Sequence, residues 1–246
     1  MTHATETTLR PLLVSALLNI VAVLLSLTCI ALIITQTFAM SIGYVAQFLT
    51  AFAGQLLVLA WFLPQHQPLT CFGAANTVTL LRAGITALFV GLIGQPTLTP
   101  ELAWIMTALA TVALILDGLD GWLARRRDTQ SPFGARFDME VDAFFILILA
   151  VLVWQFGKAG AWVILSGVLR YGFVLLGYVL PWLNQPLPPR RCRQTVCVIQ
   201  TVVLVLCLTP PLISPMSAVL AAAALGLLAL SFAVDIAWLW RQNRLS

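Results

Sequence analysis

The aspartates between positions 117 and 142 are the residues whose type and spacing could support chemistry. This window holds six of the nine acidic residues, although only 9% of the chain is charged. At 100° per residue, Asp117 and Asp120 share one face of a helix, and Asp138 and Asp142 share one face of the next. The short connection makes the two helices antiparallel neighbours, so four carboxylates can converge at one depth.

Converging carboxylates need cations or shared protons between them. All ligands here would be hard oxygens, without a thiol or imidazole nearby, which suits Mg²⁺ or Mn²⁺. Two such ions about 4 Å apart form a clamp for in-line phosphoryl displacement. Gly121, Ala124 and Gly134 leave room for a polar ligand, and Arg125 offers a fork for phosphate oxygens. Taken alone, the small residues are also explained by helix packing in a membrane.

The composition excludes a soluble globular protein, a disordered chain and a disulfide-stapled secreted domain. Of the 246 residues, 61% are hydrophobic, against 45–50% in ordinary soluble domains. The five cysteines are odd in number and lack CxxC spacing, and the two histidines leave nothing for a histidine site. The net charge of +4 does not indicate nucleic-acid binding, because the basic residues lie where membrane proteins keep their cytoplasmic charge.

The fold class predicted from the hydropathy pattern is an all-α polytopic membrane protein with eight transmembrane helices. The apolar stretches lie near 11–35, 42–63, 76–94, 102–124, 133–155, 159–181, 191–209 and 216–239. Arginine clusters fall at alternate ends of these stretches, and Lys158 falls on the opposite side. The positive-inside rule then places both termini and the aspartate cluster in the cytoplasm.

The aspartates belong to a longer pattern that resembles the signature of the CDP-alcohol phosphotransferases. The string Asp117-Gly-Leu-Asp120-Gly-Trp-Leu-Ala-Arg125 is followed by Gly134, Asp138 and Asp142. It matches every fixed position of DxxDGxxAR, eight residues, GxxxDxxxD. The resemblance covers the last six helices and implies a division into a two-helix membrane extension, 1–69, and a six-helix domain, 70–246. It says nothing about the role of the first two helices.

The resemblance implies a transferase of phospholipid biosynthesis. Such enzymes move a substituted phosphoryl group from a CDP-linked donor, commonly CDP-diacylglycerol, to a small alcohol and release CMP. It implies that Asp117, Asp120 and Asp138 bind the divalent ions. Asp142 would complete the second metal site and take the proton of the acceptor hydroxyl.

Further residues are assigned to the substrates by the same resemblance. The segment from Asn76 to Arg82 is similar to an NxxTLxR segment beside the nucleotide, although Ala75 replaces the proline often found before the asparagine. Basic residues in the last helices are expected to bind an acceptor phosphate, although the positive-inside rule alone also explains the cluster that opens the seventh helix. The expected nucleotide contacts are Gly121, Ala124, Arg125, Ser131, Gly134, Asn76 and Thr79, and the expected acceptor contacts are Arg170, Arg191 and Arg193.

Three functions remain open from the sequence, and the last is a catalytically idle, structural member of the same family, against which the retention of every signature residue argues. The favoured one is a metal-dependent phosphotransferase, homodimeric and located in a bacterial-type inner membrane. Its preferred acceptor is glycerol 3-phosphate, followed by an inositol-type or amino alcohol, and a CDP-alcohol used in the reverse sense remains an alternative donor. The second class is a cation transporter with a carboxylate-lined ion site, which would distribute acids through the membrane depth or show repeat symmetry.

Overall fold

A computed structural model describes residues 2–63, 71–96, 98–126, 131–185 and 191–245. Side chains are described from residue 11 onward, except at Asp120, Ala124, Arg125, Asn184, Arg191 and Leu245. All regular structure in these residues is helical, which confirms the all-α prediction. The α-helices are α1 (Thr2–Thr37), α2 (Ile42–Phe62), α3 (Ala74–Val90), α4 (Pro100–Arg126), α5 (Pro132–Gln155), α6 (Leu165–Val179), α7 (Arg191–Leu208) and α8 (Met216–Leu245).

The helices make this chain a multi-pass membrane protein, but they do not confirm eight spans. Five segments of the described chain are long and apolar enough to cross a bilayer: Pro11–Thr37, Ile42–Phe62, Pro100–Leu123, Ala161–Val179 and Met216–Arg244. The apolar helices α3 and α7 are shorter, and the first half of α5 carries charged side chains. A helix needs about 20 residues to span the hydrocarbon core.

The helix ends differ from the sequence prediction where the local chain departs from simple apolar periodicity. The sixth apolar stretch, predicted from 159 to 181, begins as a 3₁₀ turn at Ala161–Ile164, and α6 itself is only 15 residues long. A second 3₁₀ turn, Pro181–Asn184, follows α6. Pro181 cannot donate a backbone hydrogen bond, so the α-helix ends before it.

The first compact unit comprises Met1–Pro96 and Ala108–Phe145. In it α1, α2 and α3 pack against one another. A Cβ atom at Gly84 of α3 would overlap Leu27 of α1, so the glycine permits the close approach of these helices. The Phe89 ring of α3 meets the Phe145 ring of α5 edge-on, with centroids 5.5 Å apart. These contacts fix α3 between its neighbours.

The second compact unit comprises Thr97–Thr107 and Ile146–Ser246. Here α8 packs along α7 and also contacts α6. The Lys158 ammonium donates to the carbonyls of Thr209 and Leu212, at 3.0 and 2.7 Å, and the Ser217 hydroxyl donates to the Lys158 carbonyl. Lys158 therefore ties the α5–α6 connection to the end of α7, whose last carbonyls lack partners within the helix.

Candidate active site

Three aspartates from α4 and α5 meet in the first unit. Asp117 lies near the end of α4, and Asp138 and Asp142 lie one turn apart on α5. Each offers one carboxylate oxygen, and the three oxygens lie within 4.8 Å of one another. Their side chains are 27%, 35% and 41% exposed, respectively. The structure thus brings together three of the four carboxylates that the spacing predicted to converge.

Arg82 of α3 lies against all three carboxylates. Its guanidinium donates to Asp138 and Asp142, and it pairs with Asp117 at 2.7 Å. The Arg82 side chain is only 5% exposed, so it reaches the carboxylates from the protein interior. One positive charge faces three negative charges, which leaves an excess of two negative charges in this group. We name Arg82, Asp117, Asp138 and Asp142 the acidic centre.

The acidic centre fits a hard divalent cation. Its negative donor atoms are all carboxylate oxygens, the ligands that Mg²⁺ and Mn²⁺ prefer, and they converge closely enough to share an ion. Intramembrane carboxylates are also costly unless they are compensated, and Arg82 compensates only part of this charge. Asp117, Asp138 and Asp142 could therefore hold a metal ion.

The starts of α3 and α5 bring a second set of predicted residues together. The Asn76 side-chain amide donates to the Phe72 carbonyl, and the Ser131 hydroxyl accepts a 3.0 Å hydrogen bond from the Gly134 amide as the cap of α5. A Cβ atom at Gly134 would lie 2.8 Å from the Asn76 Oδ1 atom. Gly134 therefore permits Asn76 to approach α5. Thr79 is buried one turn further along α3, and its hydroxyl donates to the Ala75 carbonyl.

For most of the remaining predicted residues, the structure describes the backbone but not the side chain. Gly121 is half-buried on α4. Asp120, Ala124 and Arg125 lie within α4, and Arg191 opens α7, but their side chains are outside the described residues.

The other two predicted acceptor residues belong to the second unit. Arg170 is half-buried on α6. Arg193 of α7 pairs with the buried Asp235 of α8 at 3.0 Å.

Arg82 has no role among the sequence predictions, although it closes the NxxTLxR segment. The signal was present. Asn76, Thr79 and Arg82 recur every three residues and so lie toward one face of α3. A buried arginine in an apolar helix requires an acidic partner, and the surplus of acids between 117 and 142 was the available source.

Comparison with known proteins agrees with this geometry. The family model described as CDP-alcohol phosphatidyltransferase matches residues 72–234. This chain belongs to that family. The match confirms the resemblance seen in the aspartate pattern, and it leaves α1 and α2 outside the matched residues. The division at residues 69 and 70 stays a prediction.

Individual relatives match over shorter segments. A CDP-diacylglycerol–serine O-phosphatidyltransferase of Mycobacterium tuberculosis is 37% identical over 89 residues, covering 36% of this chain and 29% of the relative. A CDP-diacylglycerol–glycerol-3-phosphate 3-phosphatidyltransferase of Pseudomonas fluorescens is 29% identical over 124 residues, covering 48% of this chain and 60% of the relative. The chain thus spans less than two thirds of the length of either relative. No solved structure matches.

Proposed function

We propose that this chain transfers a phosphatidyl group from CDP-diacylglycerol, or a related CDP-alcohol, to a small alcohol and releases CMP. The observation that carries the proposal is the acidic centre, where three carboxylates from two helices face one buried arginine. The two relatives differ in their printed acceptor, serine in one and glycerol 3-phosphate in the other. Glycerol 3-phosphate remains our preferred acceptor.

Asp117, Asp120, Asp138 and Asp142 would hold two divalent ions, Mg²⁺ or Mn²⁺. These ions would neutralise the negative charge of the donor's diphosphate. Arg82 holds the carboxylates of Asp117, Asp138 and Asp142 in place from the interior side. A buried, charge-assisted contact of this kind limits their rotamers and presents the remaining oxygens outward.

Asp142 acts as the general base in this proposal. It takes the proton of the acceptor hydroxyl as the hydroxyl oxygen bonds to the phosphatidyl phosphorus. The bond from that phosphorus to the bridging oxygen breaks, and CMP leaves with the electron pair. An alcohol is a weak nucleophile at neutral pH, so a carboxylate within hydrogen-bond reach assists this step.

The remaining residues of the proposal bind the two substrates. Nucleotide contacts are proposed for Asn76, Thr79, Gly121, Ala124, Arg125, Ser131 and Gly134. Acceptor-phosphate contacts are proposed for Arg170, Arg191 and Arg193. The grouping of Asn76, Ser131 and Gly134 at the starts of α3 and α5 supports a common role for these three.

The proposed setting is a bacterial-type inner membrane, with both termini and the site on the cytoplasmic side and two copies forming a homodimer. This placement lets a soluble alcohol reach a donor whose acyl chains remain in lipid. The cation-transporter alternative is not favoured, because three of the described carboxylates lie at one point instead of along the membrane depth.

The proposal is tested by turnover of the full chain in lipid nanodiscs. Labelled CDP-diacylglycerol is supplied with glycerol 3-phosphate, inositol phosphate, serine or no acceptor, and CMP release is followed. We expect acceptor-dependent CMP release that stops with EDTA and returns with Mg²⁺ or Mn²⁺. Absence of CMP release with every acceptor, together with cation flux in proteoliposomes, would establish the transporter alternative.

A further inference from the structure

The first two helices lie before the family match, yet they contact the helix that carries Asn76 and Arg82. α1 and α2 both pack on α3 within the first unit. Most of α1 is apolar, which is sufficient for a lipid-facing span. The polar side chains at which α1 meets α3 therefore call for a reason beyond membrane insertion.

Ser15 and Asn19 of α1 bind the start of α3. They lie four residues apart and so share one face of α1. The Ser15 hydroxyl accepts a 3.2 Å hydrogen bond from the Phe72 amide. The Thr77 hydroxyl donates to Asn19 Oδ1 at 2.9 Å, and the Asn19 amide group donates to the Ser15 carbonyl at 2.7 Å. One connected set of hydrogen bonds thus holds both sides of the first turn of α3.

This set continues into the proposed nucleotide site through Phe72. The Phe72 amide is held by Ser15, and its carbonyl accepts from the Asn76 side chain. The Phe72 ring is fully buried against Phe133 of α5, with ring centroids 6.1 Å apart. Asn76 Oδ1 in turn faces Gly134. A shift of Phe72 would therefore move Asn76 relative to the start of α5.

A contact from α2 supports α3 further along. Gln55 is 8% exposed, and its Nε2 atom donates to the Ala83 carbonyl at 2.9 Å. Ala83 directly follows Arg82. The two N-terminal helices therefore reach α3 both beside Asn76 and beside the arginine of the acidic centre.

We propose that Ser15 and Asn19 are positioning residues for the nucleotide site. The N-terminal helices then form part of the catalytic scaffold, in which they set the position of Asn76 through Phe72 and Thr77. This inference rests on the proposed function for its effect on nucleotide binding, but the ordering of α3 by α1 is independent of that function.

The test compares Asn19→Leu, Thr77→Val and their double variant with Ser26→Ala. Ser26 is a matched control on α1, because its exposed hydroxyl donates only to the Ala22 carbonyl of its own helix. Affinity for CDP with Mg²⁺ is measured by calorimetry on the full chain in nanodiscs, at a temperature where each variant is folded. We expect each single variant to raise the Kd about threefold to twentyfold, the effect of one interhelical hydrogen bond in a membrane. The double variant should raise the Kd by less than the product of the two single effects, although Asn19 also donates to the Ser15 carbonyl and Thr77 to the Gly73 carbonyl. Ser26→Ala should match the parent.

Hydrogen–deuterium exchange across residues 71–80 tests the ordering without any ligand. We expect faster exchange in Asn19→Leu and Thr77→Val, and partial restoration in Asn19→Gln, which retains an amide. If Asn19→Leu does not fold, Ser15→Ala takes its place. Parental exchange and parental Kd in the variants would overturn the inference, as would additive effects in the double variant. If the variants show faster exchange but the parent chain binds no CDP, the proposed function alone is overturned.

Discussion

The acidic centre and the Arg193–Asp235 pair both join an arginine to carboxylate groups, but the arginine is the buried partner in the first and the aspartate is the buried partner in the second. In the acidic centre the arginine is 5% exposed and its three carboxylates are 27–41% exposed. In the second unit Asp235 is 8% exposed and Arg193 is 37% exposed. The first arrangement presents negative charge outward, whereas the second presents positive charge outward.

The two groups also differ in the ratio of positive to negative side chains. Arg193 and Asp235 carry opposite unit charges and form an ion pair between α7 and α8. Arg82 faces three carboxylates, so the formal charge of the four described side chains of the acidic centre is −2. Uncompensated charge within a membrane is costly and marks a candidate functional site. The acidic centre is therefore suited to cations, whereas the Arg193–Asp235 pair carries no excess charge.

Asp142→Asn is expected to produce the largest effect. It removes the proposed general base while retaining the size of the side chain, so the rate of CMP release should fall by about 10²- to 10⁴-fold. Asp235→Asn, the equivalent change in the balanced pair, should leave kcat within about threefold. Glu140→Gln provides a control on α5 itself, because Glu140 lies two residues from both Asp138 and Asp142 and therefore points away from their shared face. Parental turnover by Asp142→Asn would remove Asp142 from the role of base.

Arg82→Met is expected to have the next largest effect, on stability. Removing one partner of a fully buried ion pair costs about 3–5 kcal/mol, because the remaining charge is left uncompensated. The free energy of unfolding should fall by less than this in EDTA, because the remaining carboxylates are 27–41% exposed to solvent, and divalent cations should recover part of the loss. Arg82→Lys keeps the positive charge, so its free energy of unfolding should fall less than that of Arg82→Met.

The measurement is the Tm of the purified full chain, with and without Mg²⁺ or Mn²⁺. The increase in Tm caused by the metal should be larger in Arg82→Met than in the parent, because a bound ion then replaces the missing charge. Equal increases would show that Arg82 and the metal do not neutralise the same carboxylates. Purification in Mn²⁺, followed by chelation, keeps the comparison available if the metal-free variant does not fold.

The part of the site that could be predicted is the part encoded by local spacing. Asp138 and Asp142 share a face because they lie one turn apart. Each of the eight apolar stretches overlaps one α-helix of the described chain, because a helix of this kind is encoded by the hydrophobicity of neighbouring residues. The 3₁₀ turn that begins the sixth stretch was not foreseen, since it lies inside an apolar run with no polar residue to mark it.

The contacts that could not be predicted join helices far apart in sequence. Arg82 and Asp142 are 60 residues apart, and Asn19 and Thr77 are 58 apart. No periodicity within one helix specifies which neighbouring helix its polar face will meet. The general rule that a buried charge requires a partner would have indicated that Arg82 needs an acid, but not which acid.

The smallest effect is expected from Arg193→Gln, which tests whether the outward positive charge of the balanced pair binds substrate. A charge-assisted hydrogen bond to phosphate contributes about 1.5–3 kcal/mol. We therefore expect the KM for a phosphorylated acceptor to rise about tenfold, with kcat unchanged. A serine-type acceptor should show no such rise, because it lacks the phosphate. The measurement is the initial rate of CMP release at varied acceptor concentration.

Asp235→Asn separates a binding role of Arg193 from a structural one. It removes the counter-ion but retains the guanidinium, and both variants break the same ion pair, so both should lower the free energy of unfolding. Only Arg193→Gln should lose the preference for a phosphorylated acceptor. If the two variants changed KM equally for every acceptor, Arg193 would act only by joining α7 to α8. The acceptor phosphate would then have to be bound by Arg170 or Arg191, and Arg170→Gln would show the larger change in KM.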